Sequence, residues 1–154
     1  MYAASELLAI AMRIEENGEE FYRRAGEKTS DQEAQLLLFF LADQEEVHRQ
    51  IFAGLLAEAE TLIVHEEYDG EHQAYIHACA DKLVFDLDRA EPAELDGEST
   101  IRFAIQRESD SILYYTELKK ILPAKHHGLL EQIIDEEKSH FARLYELLKS
   151  YKGP

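Results

Sequence analysis

Two stretches decide the fold, LADQEEVHRQIFAGLL at residues 41–56 and IIDEEKSHFARLYELL at residues 133–148. Each contains Glu-x-x-His, as Glu45 and His48 in the first and Glu137 and His140 in the second. The two motifs are offset by 92 positions, from 45 to 137. Around them, residues recur alternately three and four apart, the spacing that holds side chains on one side of a 3.6-residue turn. One stripe reads Leu38, Leu41, Glu45, His48, Phe52, Leu55; the other reads Leu130, Ile133, Glu137, His140, Leu144, Leu147. A face that should be wholly apolar therefore carries a carboxylate and an imidazole at its middle.

The segment before each stretch repeats the pattern. RIEENGEEFY (13–22) aligns with QRESDSILYY (106–115) at an offset of 93, keeping a Glu and, seven residues later, a Tyr. Their stripes read Leu8, Ala11, Glu15, Gly18, Tyr22, Ala25 and Ile101, Ala104, Glu108, Ser111, Tyr115, Leu118. Two similar halves, each with a Glu helix followed by a Glu-x-x-His helix, predict an all-α four-helix bundle.

Only three Pro and seven Gly interrupt the chain, and they fall where helices would stop. The first helix is expected from about Ser5 to Gly26, with Gly26 as its left-handed C-terminal residue. After the loop EKTS, Ser30 and Glu33 form a capping box that opens a second helix running to about Tyr68. Residues 69–98 form a connector long enough to return along the bundle, and its stretch HQAYIHACADKLVF reads as one short helix. The third helix starts near Ser99 and ends before Pro123; the fourth follows at once and continues to about Tyr151. His126, His127 and Gly128, in its first turn, carry no role.

Counting residues from each hairpin at 1.5 Å rise per residue, the glutamates of each pair are level within roughly 5 Å. Where the crossover brings the two hairpins together, Glu15, Glu45, His48, Glu108, Glu137 and His140 share one site. Ionised carboxylates in a dry core cost several kcal/mol each, and four repel one another besides, so something must neutralise them. Two divalent cations do so, with both imidazoles neutral. Carboxylate oxygens with one imidazole per ion suit iron, or manganese, or a mixed pair, and six side chains leave positions open on two six-coordinate ions. Tyr22 and Tyr115 lie one heptad beyond Glu15 and Glu108, placed to hydrogen-bond a carboxylate across the bundle. Glu16, Glu19, Glu20, Glu46 and Glu136 fall off the stripes and read as solvated faces. The run HEEYDGEH (65–72) holds metal-capable groups but straddles a helix end, and Cys79 reads as a small buried hydrophobe.

The chain has 154 residues, 32 Asp plus Glu against 16 Lys plus Arg, and a net charge of −16. One domain spanning 1–154 is expected. The acidic excess disfavours nucleic acid and anionic membranes as partners. A single cysteine cannot close an internal disulfide or build a thiolate metal cage. With no basic, apolar leader at its start, a cytoplasmic location is the expectation.

IEENGEEFY, QEEVH, QRESDSILYY and DEEKSH resemble the four ligand segments of the ferritin-like di-iron carboxylate proteins, and among them the stand-alone rubrerythrin-like domains. The likeness extends over essentially the whole chain. It implies a ferritin-like four-helix bundle with a long, left-handed crossover between its second and third helices. It also implies a di-iron centre on Glu15, Glu45, His48, Glu108, Glu137 and His140. Rubrerythrins carry a rubredoxin module with cysteine pairs, which this sequence lacks. They also carry an extra Glu one turn after the third-helix ligand, where this chain has Ser111, which argues against a redox-linked exchange of that Glu for His.

The function expected is a di-iron oxidoreductase that oxidises Fe(II) with O2 or hydrogen peroxide, or reduces peroxide with electrons from an external donor. The alternatives are an iron-binding, storage or delivery protein with a ferroxidase site, and a non-catalytic, metal-stabilised helical dimer. A homodimer is the expected assembly.

Overall fold

The computed structural model of the protein describes residues 3–59, 70–88 and 97–151. Five helices occur in the order α1 (Ala4–Lys28), α2 (Gln32–Ala59), α3 (Gly70–Asp88), α4 (Gly97–Ile121) and α5 (His127–Ser150), with one 3-10 turn at Ala124–His126 before α5. No strand occurs among the described residues. The fold is all-α: α1 pairs with α2, α4 pairs with α5, and α1 also meets α4. The long crossover between α2 and α4 contains α3, which lies against α1 and α4.

The expected third and fourth helices are thus α4 and α5, and the short helix foreseen in the connector is a full nineteen residues long. Its buried Ile76, Ala80 and Leu83, spaced four and three apart, join the core, with half-buried Cys79 packed beside them. The continuation of the second helix to Tyr68 and the HEEYDGEH run both fall outside the described residues. Among the described residues, no helix is long and apolar enough to cross a membrane.

Two helix ends differ from expectation. Gly26 is not a left-handed terminator; α1 runs through it to Lys28, and Thr29 caps the helix in an extended conformation. Gly26 is small because the Phe39 ring of α2 lies against it: a Cβ there would sit 2.7 Å from Phe39 Cε1. Gln35 Nε2 also donates to the Gly26 carbonyl at 2.9 Å, tying the hairpin shut. At the start of α2 the first α-type bond runs from the Gln35 amide to the Asp31 carbonyl, so Asp31 rather than Ser30 takes the N-cap position. Pro123 ends α4 as expected, since it has no amide hydrogen to continue the ladder. The two histidines beyond it do have partners. His127 Nε2 donates to the Leu122 carbonyl left free at the helix end, 2.8 Å away, and buried His126 faces Glu58 at 3.2 Å.

All four stripes are buried, except that Ala25 is half-buried. Along them lie an apolar cluster including Leu8, Ile14, Phe52, Tyr115, Leu130 and Ile133, then a polar layer, then a second cluster of Phe21, Tyr22, Leu38, Leu41, Ala42, Ala104 and Leu144, with a small third cluster of Ala34, Ile101 and Leu147. The polar layer is Glu15, Glu45, His48, Glu108, Glu137 and His140. Two bonds from α4 to the α1 backbone fix the register across it. Tyr114 Oη donates to the Leu7 carbonyl at 2.6 Å and Arg107 Nη2 to the Ile14 carbonyl at 3.3 Å.

Candidate metal centre

Each of the four long helices supplies its central stripe positions to the layer: Glu15 from α1, Glu45 and His48 from α2, Glu108 from α4, Glu137 and His140 from α5. All six are buried, with Glu45 the most accessible at 4%. They converge as two overlapping groups. Glu15, Glu45, His48 and Glu137 can each offer one ligand atom with all four atoms within 4.8 Å of one another, and so can Glu45, Glu108, Glu137 and His140. Glu45 and Glu137 belong to both. The imidazoles turn Nδ1 inward: His48 Nδ1 lies 3.0 Å from Glu137 Oε1 and 3.6 Å from Glu15 Oε1. His140 Nδ1 lies 3.5 Å from Glu137 Oε1 and 3.7 Å from Glu108 Oε1. The two rings are stacked with centroids 6.0 Å apart.

The hydroxyls of Tyr22 and Tyr115 reach this layer from opposite apolar clusters. Tyr22 Oη donates to Glu108 Oε1 and Tyr115 Oη donates to Glu15 Oε1, each at 2.6 Å. Each hairpin's tyrosine thus holds the other hairpin's glutamate, with one oxygen of each carboxylate left over. Those leftovers are the test of what the layer is for. Glu15 Oε2, Glu108 Oε2, Glu137 Oε1, His48 Nδ1 and His140 Nδ1 are all fully buried and have no hydrogen-bond partner. Buried polar atoms in native proteins are almost always paired, so five orphaned donor atoms lining one centre fit a set of metal-ligand positions.

Protons and internal pairing are what these residues have among themselves. Burial, then the Glu15 charge, pushes Glu45 well above the ordinary carboxylate range; burial, then the Glu137 charge, does the same to Glu108. Burial also raises both tyrosines, with Glu108 adding to the effect at Tyr22 and Glu15 at Tyr115. Burial works against the imidazolium of His48, but the Glu137 and Glu15 carboxylates that Nδ1 faces outweigh it and push the group up to about 11. Burial likewise opposes ionisation of Glu137, yet the His140 and His48 imidazoles beside Oε1 hold its carboxyl well below the usual range. The upward shifts of Glu45, Glu108 and His48 and the downward shift of Glu137 all act to reduce the net negative charge or pair it within the layer, the charge that bound cations would otherwise offset.

One expectation fails at the rim. Glu136 is not simply solvated: it is 34% exposed, and its Oε2 accepts a hydrogen bond from His48 Nε2 at 2.6 Å. It was missed because it stands one residue before Glu137, off the buried stripe, and reaches sideways from α5 to α2. The other acids off the stripes do face outward. Glu16 and Glu20 are exposed, while Glu19 and Glu46 pair with Arg23. Gly18 and Ser111, corresponding positions of the two halves, are both buried small residues. A Cβ on Gly18 would lie 3.1 Å from Glu45 Cδ, so the glycine leaves the room that this carboxylate occupies.

The chain can now be set beside known proteins. The Rubrerythrin family profile matches residues 99–154, the part holding α4, α5, Glu108, Glu137 and His140. Over the whole fold the chain is similar to a crystal structure from Thermotoga maritima described as a ferritin-like diiron-carboxylate protein, at 26% identity and a TM-score of 0.68. The likeness covers 97% of this chain and 96% of that one. The chain has a ferritin-like fold, and its part from residue 99 onward is similar to Rubrerythrin. No curated protein matches it in sequence. The Rubrerythrin match starts only at residue 99, but the first half of the chain places Glu15, Glu45 and His48 in the same buried layer as the matched part places its own three.

Proposed function

We propose that the domain holds two iron ions and is a di-iron oxidoreductase, oxidising Fe(II) with O2 or hydrogen peroxide, or reducing peroxide with electrons from a partner protein. The observation that carries this reading is the set of five orphaned donor atoms in a layer of four glutamates and two histidines. In this assignment Glu15 and His48 would hold one ion, Glu108 and His140 the other, and Glu45 and Glu137 would be shared between them, because only these two belong to both groups. Hard oxygen donors with one imidazole per ion and no thiolate favour iron or manganese over structural zinc. The diiron-carboxylate description of the Thermotoga protein supports iron. When bound, an iron pair would supply one electron from each metal to O2 or peroxide.

The chain's own residues supply the setting. Tyr22 and Tyr115 fix the Glu108 and Glu15 carboxylates and keep a proton at the hydroxyl beside each, since both are held well above their ordinary range. The apolar clusters on either side keep bulk water from the layer. Gly18, lacking a Cβ, lets the Glu45 carboxylate pack against α1 and reach the layer.

Anaerobic loading with Fe(II) followed by O2 or peroxide tests the reading. Two irons per chain and a ferric absorption band within seconds are expected. Two bound ions that stay silent to both oxidants would leave only a metal-stabilised bundle, and many irons per chain would point to storage. Replacing Glu45 or Glu137 with Ala should abolish binding of both ions; tight retention of two irons in either variant would overturn the bridging assignment.

A further inference from the structure

The two halves of the layer are alike in their inward-facing groups and unlike in what stands behind the histidines. Behind His48, Nε2 donates to Glu136 Oε2 at 2.6 Å. Glu136 is braced in turn, since Gln132 Nε2 donates to its other oxygen at 3.3 Å. By the offset of 92 that relates the Glu-x-x-His motifs, the counterparts of Glu136 and Gln132 are Gln44 and Phe40. Among the described residues, no carboxylate pairs with the outer nitrogen of His140, whose ion-pair contacts are through Nδ1. The Phe40 ring meets His140 edge-on at 6.1 Å, and no acceptor among the described residues hydrogen-bonds its Nε2.

We propose that Glu136 makes the two metal positions unequal, so that the ion on His48 binds first and is held more tightly than the ion on His140. The inference rests on the di-metal reading above and assigns it an order. A carboxylate accepting from the outer nitrogen fixes the ring with Nδ1 turned inward, makes that nitrogen a stronger donor and adds a negative charge near the ion. Gln44, the counterpart by sequence, carries no charge and supplies none of the electrostatic part. Loss of such a partner ordinarily costs about 10–100-fold in metal affinity, so the two positions should differ on that scale. Glu136 acts through His48 and is a positioning residue.

Cobalt(II) is the probe, titrated into chelator-stripped protein and followed by visible absorption and calorimetry, with no turnover involved. Two resolved steps totalling two ions per chain are expected. Glu136→Gln should weaken the first step by about 10–100-fold and bring the steps together without changing the total. Gln44→Glu should strengthen the second. His140→Ala should keep the tight step, and His48→Ala should keep only the weak one. Two ions of equal affinity, a Glu136→Gln protein that melts lower but keeps both steps unchanged, or a tight step surviving in His48→Ala would each overturn the inference while leaving the metal centre standing. No cobalt uptake at all would overturn the metal reading and this inference with it.

Discussion

Tyr22 and Tyr115 are buried phenols whose hydroxyls each face a carboxylate, and a buried hydroxyl without a partner costs about 1–3 kcal/mol. The same cost falls on the carboxylate oxygen when the hydroxyl is removed. Tyr22→Phe and Tyr115→Phe should therefore each weaken cobalt or iron binding by about tenfold or more, through Glu108 and Glu15 respectively, while leaving two ions per chain. A metal titration of the two variants checks this, and unchanged affinity in both would mean that the hydroxyls serve only the fold. At this scale the sequence was highly legible, because a charged residue in an apolar stripe is a conflict that its period exposes. All six central residues and both tyrosines could be named from spacing alone. Glu136 could not, since a position one residue off the stripe looks like any solvated acid. Its only trace was an asymmetry, Gln44-Glu45 in one motif against Glu136-Glu137 in the other.

Helix faces were easier to read than helix ends. Faces follow from the repeat, whereas ends depend on what a neighbouring helix presses against them, as Phe39 does at Gly26. A glycine near a turn was read as a stop when it is a socket for a ring. Gly26→Ala should consequently destabilise the α1–α2 hairpin by about 1–3 kcal/mol through overpacking, although alanine is the better helix former. Thermal melts should show a drop of about 2–4 °C for each kcal/mol. Metal stoichiometry should be unchanged, and a variant as stable as the parent would show that Phe39 can move aside. The helix α3 was only half legible, because one short apolar stripe of Ile76, Ala80 and Leu83 gives a helix but not its length.

For the molecule as a whole, the charge of the central layer links stability to pH. Glu45 and Glu108 are raised in the folded chain, so the stability they contribute is present below the ordinary carboxylate range and fades as pH rises through their shifted values. His48 has the same sign, its contribution fading only towards pH 11, where the group titrates at about 11. Glu137, held low, works oppositely and loses its contribution only in strong acid. Chelator-treated protein should therefore melt higher near pH 5 than near pH 8. Metal reverses the order, because the ions must displace these protons; loading should release acid into weak buffer and stabilise the fold by about 2.7 kcal/mol per site at a hundredfold excess over Kd. Equal melting at both pH values without metal would contradict the assigned shifts.

The interposed polar layer also sets where the molecule is weakest. Helical bundles ordinarily loosen from their tips, where the last turns fray into solvent. Here the two greasy halves on either side are sound, and the seam between them is the fault line. Stripped of ions, the protein should breathe at its waist: backbone amides around residues 15–18, 45–48, 108–111 and 137–140 should exchange with deuterium faster than those in the turns above and below. Two small cations would then act as rivets, turning the most labile girdle of the fold into its most protected one.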